Sequence, residues 1–316
     1  MFPYYVLDVF SKERYKGNPL AVVEMEEDLD PSIYQNIARE FGYAETSFVR
    51  ISREQKALQV RSFTAGGFEV GGAGHNLLGA VCVALLKNWD IFSGQQDPWV
   101  IMKDEKIPLR ITRDAAGQVV VGMKQRPAVL GNAVPAEKMA AALRLSPEEV
   151  GSIYGQPVVV RTEVAHLMVP VRDVAALHRA VSQKEALQKL AAEFDFEGCY
   201  LFVGNDSGLA SLPSTERSGT GSATASKPGE HTDGPIAEAR FFNPGLGIVE
   251  DPGTGSAAGP LAGLLHLLGH IKTGKEYTFL QGVTMQQPCT ITVSVAPDGI
   301  WVSGSSVIVM EGHLYL

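Results

Sequence analysis

Phe241-Phe-Asn-Pro-Gly-Leu-Gly-Ile-Val-Glu250-Asp-Pro-Gly-Thr-Gly-Ser256-Ala-Ala-Gly-Pro-Leu-Ala-Gly-Leu-Leu265 is the stretch on which the reading of this chain turns. An apolar, strand-like run stops at Asn243-Pro244, and the carboxylate pair Glu250-Asp251 follows. Then comes a tight turn from Pro252 to Ser256, and from Ala257 to about Leu268 small apolar residues recur at helical spacing. A glycine-rich turn running into a helix leaves backbone N–H groups unpaired, with the positive end of the helix dipole behind them. Such a helix end captures anions, including a substrate carboxylate or phosphate. An acid beside it, Asp251, is either a helix cap or a proton-transfer group held next to what it acts on.

A second stretch of the same grammar favours the latter. Phe68-Glu-Val-Gly-Gly-Ala-Gly-His75-Asn-Leu-Leu-Gly-Ala-Val-Cys-Val-Ala-Leu-Leu86 also has an acid, a glycine-rich turn and then a long apolar helix, with His75 at its mouth. Two anion-receptive helix ends, one from each half of the chain, imply a cleft between two similar domains.

The totals fit that picture. The 316 residues allow one large or two ordinary domains, and 45% hydrophobic content with 33 glycines suits a turn-rich globular protein. With 27 basic against 35 acidic residues, the net charge of -8 argues against a nucleic-acid or anionic-membrane partner. Cys82, Cys199 and Cys289 are odd in number and scattered, as expected of reduced core thiols in a cytosolic protein. The N-terminal residues lack the pattern of a secretory signal, and no apolar run reaches spanning length, so a cytoplasmic protein is expected.

Along the chain, strands are expected at Tyr4 to Phe10 and Leu20 to Met25, then a helix from the Asp30-Pro31 cap to Gly42. Glu45 stands between a turn and the next strand. Ala57 to Thr64, Trp99 to Met102, Ile107 to Thr112 and Val119 to Met123 read as further strands. A break at Lys124-Gln-Arg-Pro127 closes a first domain, 1–127. The second, 128–303, carries helices at Ala136 to Leu145, from Ser146 and from Asp173 to about Phe194. Strands are read at Val158 to Arg161, His166 to Val171, Tyr200 to Val203, Thr290 to Val295 and Gly299 to Ser303. A final strand, within about 304–316, is read as completing the first domain. The Ser/Gly-rich segment 204–235 has too little apolar content to bury and reads as a surface insertion.

Four motifs in order carry a resemblance: Asp8-Val-Phe10 with Gly17-Asn-Pro-Leu-Ala-Val-Val23, Ala44-Glu-Thr-Ser-Phe-Val49, Gly74-His75 opening a helix, and Glu250-Asp-Pro-Gly-Thr-Gly-Ser-Ala257. In these the chain resembles the PhzF-like proteins of phenazine biosynthesis, which share the diaminopimelate epimerase fold. The resemblance implies an α/β (α+β) protein of two pseudo-symmetric domains, each a curved, mostly antiparallel sheet around a central helix. It also implies a homodimer and proton-transfer chemistry on a small-molecule substrate without metal or coenzyme. By motif position Glu45 is the principal acid/base, with His75 and Asp251 assisting or orienting. Gly74, Asn76, Thr254, Gly255, Ser256 and Asn18 fall to substrate binding. Three positions depart from the family: Ala73 where many relatives carry cysteine, His75-Asn-Leu77 for His-Ala-Thr, and Gln286-Gln-Pro-Cys289 for Gly-Arg-Pro-Ser.

Without a thiol pair, a positioned carboxylate is the candidate base for removing a proton beside a carbonyl or along a diene. One carboxylate that removes and returns a proton on the same face performs an isomerisation. Inversion at one carbon needs a second group opposite, and Asp251, alone or through His75, is the candidate. Isomerase is therefore the first expectation and epimerase the second, with a non-catalytic binding protein third. His266 and His270 are four apart on a helix, but the residue after His266 is Leu267 and no third ligand stands out, so no metal is expected. Gly72-Ala-Gly74 lacks the third glycine of a dinucleotide fingerprint, and Gly255-Ser256 lacks the lysine of a phosphate loop. A Ser256–His75–Asp251 hydrolytic triad remains a minor alternative, and Glu69 reads as structural.

Overall fold

In the computed structural model, residues 1–71, 74–204 and 234–315 are described. The first half lays down β1 (Phe2–Val9), β2 (Asn18–Glu24), α1 (Pro31–Phe41), β3 (Glu45–Ser52) and β4 (Ala57–Thr64). The short β5 (Glu69–Val70), α2 (His75–Leu86), β6 (Trp99–Met102), β7 (Glu105–Arg113) and β8 (Val119–Gln125) complete it. β9 (Val129–Ala133), α3 (Ala136–Leu143), β10 (Val158–Arg161) and β11 (Ala165–Pro170) follow. Then come α4 (Val174–Arg179), α5 (Lys184–Phe194), β12 (Gly198–Gly204), β13 (Ala237–Asn243) and β14 (Ile248–Asp251). The chain ends with α6 (Gly255–Leu267), β15 (Glu276–Gln281), β16 (Cys289–Ala296), β17 (Gly299–Gly304) and β18 (Ser306–Leu314).

The strands form one long ladder. From β18 it passes through β1, β2, β3, β4, β6, β7 and β8, then crosses to β17 and continues through β16, β15, β13, β12, β11, β10 and β9. The crossing is the β8–β17 pair, with Val302 opposite Met123. Among the described residues, only β2–β3, β4–β6, β11–β12 and β13–β15 are parallel, and each of those connections contains a helix. The topology therefore repeats. β2–α1–β3–β4–β5–α2–β6–β7–β8 has the same order and sense as β11–α4/α5–β12–β13–β14–α6–β15–β16–β17.

In each copy one helix is enclosed by the curved strands. α2 packs on β1, β2, β3, β4, β8 and β18, and α6 on β10, β11, β16 and β17. Both helices are largely apolar on every side because they are buried on every side: His75 to Ala84 and Ala257 to Leu265 are all buried. Small residues let the strands approach. Cβ atoms added at Gly79 and Gly263 would lie 2.5 Å from Leu20 and 2.1 Å from Ala128. The remaining helices cover the outer faces, α1 through Tyr34 and α3, α4 and α5 through Met139, Leu177 and Leu187.

Several differences from the sequence reading have local causes. The segment from Asp173 to Phe194 is two helices, because Val181 N and Gln183 N bond to Leu143 O and Ala142 O at the end of α3. Residues 147–149 make a single 3₁₀ turn, and β9, β14 and β15 were not expected. Most of the 204–235 insertion lies outside the described residues.

Candidate active site

The starts of α2 and α6 carry the site. Neither helix has a side chain bonded across its first turn as a cap, and neither has an acid there. An uncapped helix start of this kind is a place where an anionic ligand is readily met. Gly74 N donates to Asn76 Oδ1 at 2.8 Å, which fixes the turn into α2, and Asn76 O accepts from Ser47 of β3.

Glu45 is the first residue of β3 and His75 the first of α2. Glu45 Oε2 stands 3.4 Å from His75 Nε2, with the glutamate side chain 16% exposed and the imidazole 7%. Among the described residues that nitrogen has no hydrogen-bond partner. Burial pushes the Glu45 carboxyl up to about 7 and holds the imidazole below its ordinary value, while Asp251 pulls the imidazole the other way.

Asp251 ends β14 and is held from several sides. Its Oδ1 accepts from Asn18 Nδ2 of β2 at 2.8 Å, and its Oδ2 accepts from the Thr254 hydroxyl. Asn18 also donates to Gly253 O at 2.9 Å, so β2 of the first copy is tied to the turn of the second. Burial raises the Asp251 carboxyl to about 6; His75 and the Thr254 hydroxyl oppose that rise, while Glu45 adds to it. Glu45, His75 and Asp251 therefore share one electrostatic site, reached from both copies of the repeat.

The remaining expected residues lie around the same turn. Thr254 precedes α6 and Gly255 begins it, both buried, and Ser256 is partly exposed. The Ser256 hydroxyl faces His166 Nε2 of β11 at 3.3 Å. The imidazole beside this serine is thus His166 and not the His75 of the triad alternative. His166 is buried, and its pKa falls to about 4 through burial. It was not flagged by sequence, where a lone histidine in an apolar strand carries no signal. Also missed were Gln281 and Tyr200, both buried behind Asp251, and Gln125, whose Nε2 donates to Gly255 O at 2.9 Å. Glu69 makes a paired ion contact with Arg61 at 2.8 Å, a structural role. Cys289 sits against Gly253, and burial raises its thiol well above the ordinary value, which makes it a poor proton carrier. His266 Nδ1 turns to Ile271 O while His270 packs on Tyr154. Among the described residues no group of three or more His, Cys, Asp or Glu side chains forms a metal-binding cluster.

The repeat also shows what the site lacks. The residue of β12 that corresponds to Glu45 by topology is Gly198, the first of its strand. A Cβ there would lie 2.2 Å from the Phe241 ring, so the second copy cannot offer a matching carboxylate from that position.

Residues 7–312 match the family model of the phenazine biosynthesis-like proteins. Over 326 residues, covering 100% of both chains, the sequence is 30% identical to a trans-2,3-dihydro-3-hydroxyanthranilate isomerase of Pseudomonas aeruginosa. A structure described as a predicted epimerase from the same species superposes with a TM-score of 0.77 at 28% identity, covering 100% of each chain. At the level of fold alone, a probable proline racemase of Agrobacterium radiobacter superposes with a TM-score of 0.61 at 9% identity, covering 100% of this chain and 93% of that one. With the motifs in order and the repeated lobes in place, the chain belongs to the phenazine biosynthesis-like family, as an isomerase on the diaminopimelate epimerase-like fold.

Proposed function

We propose that the protein shifts a proton between two carbons of a small carboxylate-bearing substrate, with Glu45 as the single general acid/base. The observation that carries this is the Glu45–His75 pair: a buried carboxyl near pKa 7, at 3.4 Å from an imidazole nitrogen with no hydrogen-bond partner among the described residues, at the mouth of an uncapped helix. A base whose pKa sits near the working pH combines a usable ionised fraction with proton-transfer strength.

In the proposed reaction the Glu45 carboxylate takes the proton from a C–H bond, and that electron pair moves into the conjugated system. The enolate-like charge is met by N–H groups at the starts of α2 and α6. The same carboxyl then returns the proton to a second carbon, so the net change is a hydrogen shift that uses this chain's residues only. Gly74, Asn76, Gly255 and Ser256 are proposed to hold the polar end of the substrate, with Asn18 and Thr254 setting the geometry of the turn. Gly198 at the position equivalent to Glu45 favours one base over two, and hence isomerisation over epimerisation.

We read the two copies of the topology as domains, 1–127 completed by β18 and 128–303; the β1–β18 pairing and the two enclosed helices support this. A cytoplasmic homodimer is part of the same reading, and light scattering on the purified protein tests the dimer.

The P. aeruginosa relative's name suggests the first compound to try, trans-2,3-dihydro-3-hydroxyanthranilate, within a panel of cyclic dienoic and amino acids. Incubation in D₂O, in which the proton held by Glu45 exchanges with solvent before its return, followed by NMR of the recovered compound, is expected to place deuterium at a carbon other than the one deprotonated. Absence of deuterium and of product across the panel counts against the reading.

A further inference from the structure

Gln281 closes β15 with no exposed surface, and all four hydrogen bonds of its amide are used. Its Nε2 donates to Asp251 O at 2.7 Å and to Thr254 Oγ1 at 3.0 Å. Its Oε1 accepts from Thr254 N at 3.0 Å and from the Tyr200 hydroxyl at 2.9 Å. A backbone N–H can only donate, so Thr254 N fixes which end of the amide is oxygen, and Tyr200 supports the same assignment.

The consequence propagates. Because Nε2 donates to Thr254 Oγ1, the single Thr254 proton is free to go to Asp251 Oδ2. Asn18 Nδ2 donates to the other oxygen, Oδ1. Both Asp251 oxygens thus meet donors, and a proton on either one would break a bond or face another hydrogen. The strand end is seated for this: Gly282, at φ +82, lies where a Cβ would be 2.6 Å from Pro252 O. We infer that Gln281 is a positioning residue whose amide, oriented by Tyr200 and Thr254 N, sets the Thr254 hydroxyl so that Asp251 only accepts hydrogen bonds. Asp251 then serves as a fixed anion beside His75 and not as a second proton carrier. This deepens the one-base reading above and rests on it for its catalytic meaning.

The titratable groups that act on Asp251 are His75 of α2, Glu45 of β3, Tyr200 of β12 and Cys289 of β16. The test reads Asp251 itself and needs no substrate. Carbon-13 label on aspartate carboxyls, with the resonance assigned by its loss in Asp251→Asn, gives the titration midpoint, near 6 in the unsubstituted protein. Gln281→Met is expected to raise it by about one unit, the size of one hydrogen bond to a charged group, and Tyr200→Phe by a smaller amount in the same direction. With turnover established, Gln281→Met is also expected to lower kcat about tenfold with KM within about twofold, since the amide does not reach the cleft. If Gln281→Met does not fold, Tyr200→Phe decides. An unmoved midpoint in a folded variant, with only a lower melting temperature, overturns the inference. An unsubstituted protein inactive across the substrate panel overturns instead the proposed function.

Discussion

Glu45 at the start of β3 and His75 at the start of α2 meet at 3.4 Å across the mouth of the first lobe. Among the described residues the glutamate faces a nitrogen with no hydrogen-bond partner, and burial raises the carboxyl to about 7. Among the described residues this carboxyl has no hydrogen bonds of the kind that hold Asp251 on both oxygens, which suits the proton-transfer role proposed for it.

The activity should follow the ionisation of that carboxyl. As a base, Glu45 must lose its proton first, so kcat/KM is expected to rise with pH and level off above about 7. A pH–rate profile checks this, and a flat profile between pH 5 and 8, about the range in which such groups titrate, counts against Glu45 as the base.

Stability should run the opposite way. The folded-state pKa of Glu45 is raised from 4.5 to about 7, so between those values the folded protein binds more protons than the unfolded chain. Stability is therefore lost as pH rises through that window. Glu45→Gln is expected to melt with the unsubstituted protein near the lower end and above it at pH 8, by on the order of 2–3 kcal/mol. Thermal melts at the two pH values measure it.

Phe10 joins the lobes. Its ring lies where Cβ atoms on Gly304, Gly253 and Gly255 would come within 2.5, 3.1 and 3.2 Å, and Phe10 O accepts from Thr290 N. Phe10→Ala is expected to cost about 3–5 kcal/mol in urea unfolding. It should also loosen the turn that carries Asp251.

Ser256, with His166 behind it, is expected to act on binding more than on chemistry. Ser256→Ala should raise KM about tenfold, the value of one hydrogen bond to a charged group, with kcat changed far less. Steady-state kinetics separates the two effects.

Much of this was legible in the sequence where local chemistry decides. Asp30 caps α1, Pro31 opens it and Gly42 closes it at φ 69, as their residue types demand. α2 and α6 stood out because a glycine turn precedes a run with no polar face. What stayed hidden depends on distant partners. The break between α4 and α5 is set by carbonyls of α3, and β9 shows no alternation because all five of its residues are exposed. Gln281 and His166 carry no local signal in the sequence, and only the fold brings them to Asp251 and Ser256.

If one carboxylate carries the proton, its loss must show in the rate of deuterium incorporation from D₂O by Glu45→Gln, measured against the unsubstituted protein. A fall of about 10²–10⁴-fold is expected in a variant that folds and still binds substrate. Incorporation at an undiminished rate would contradict it.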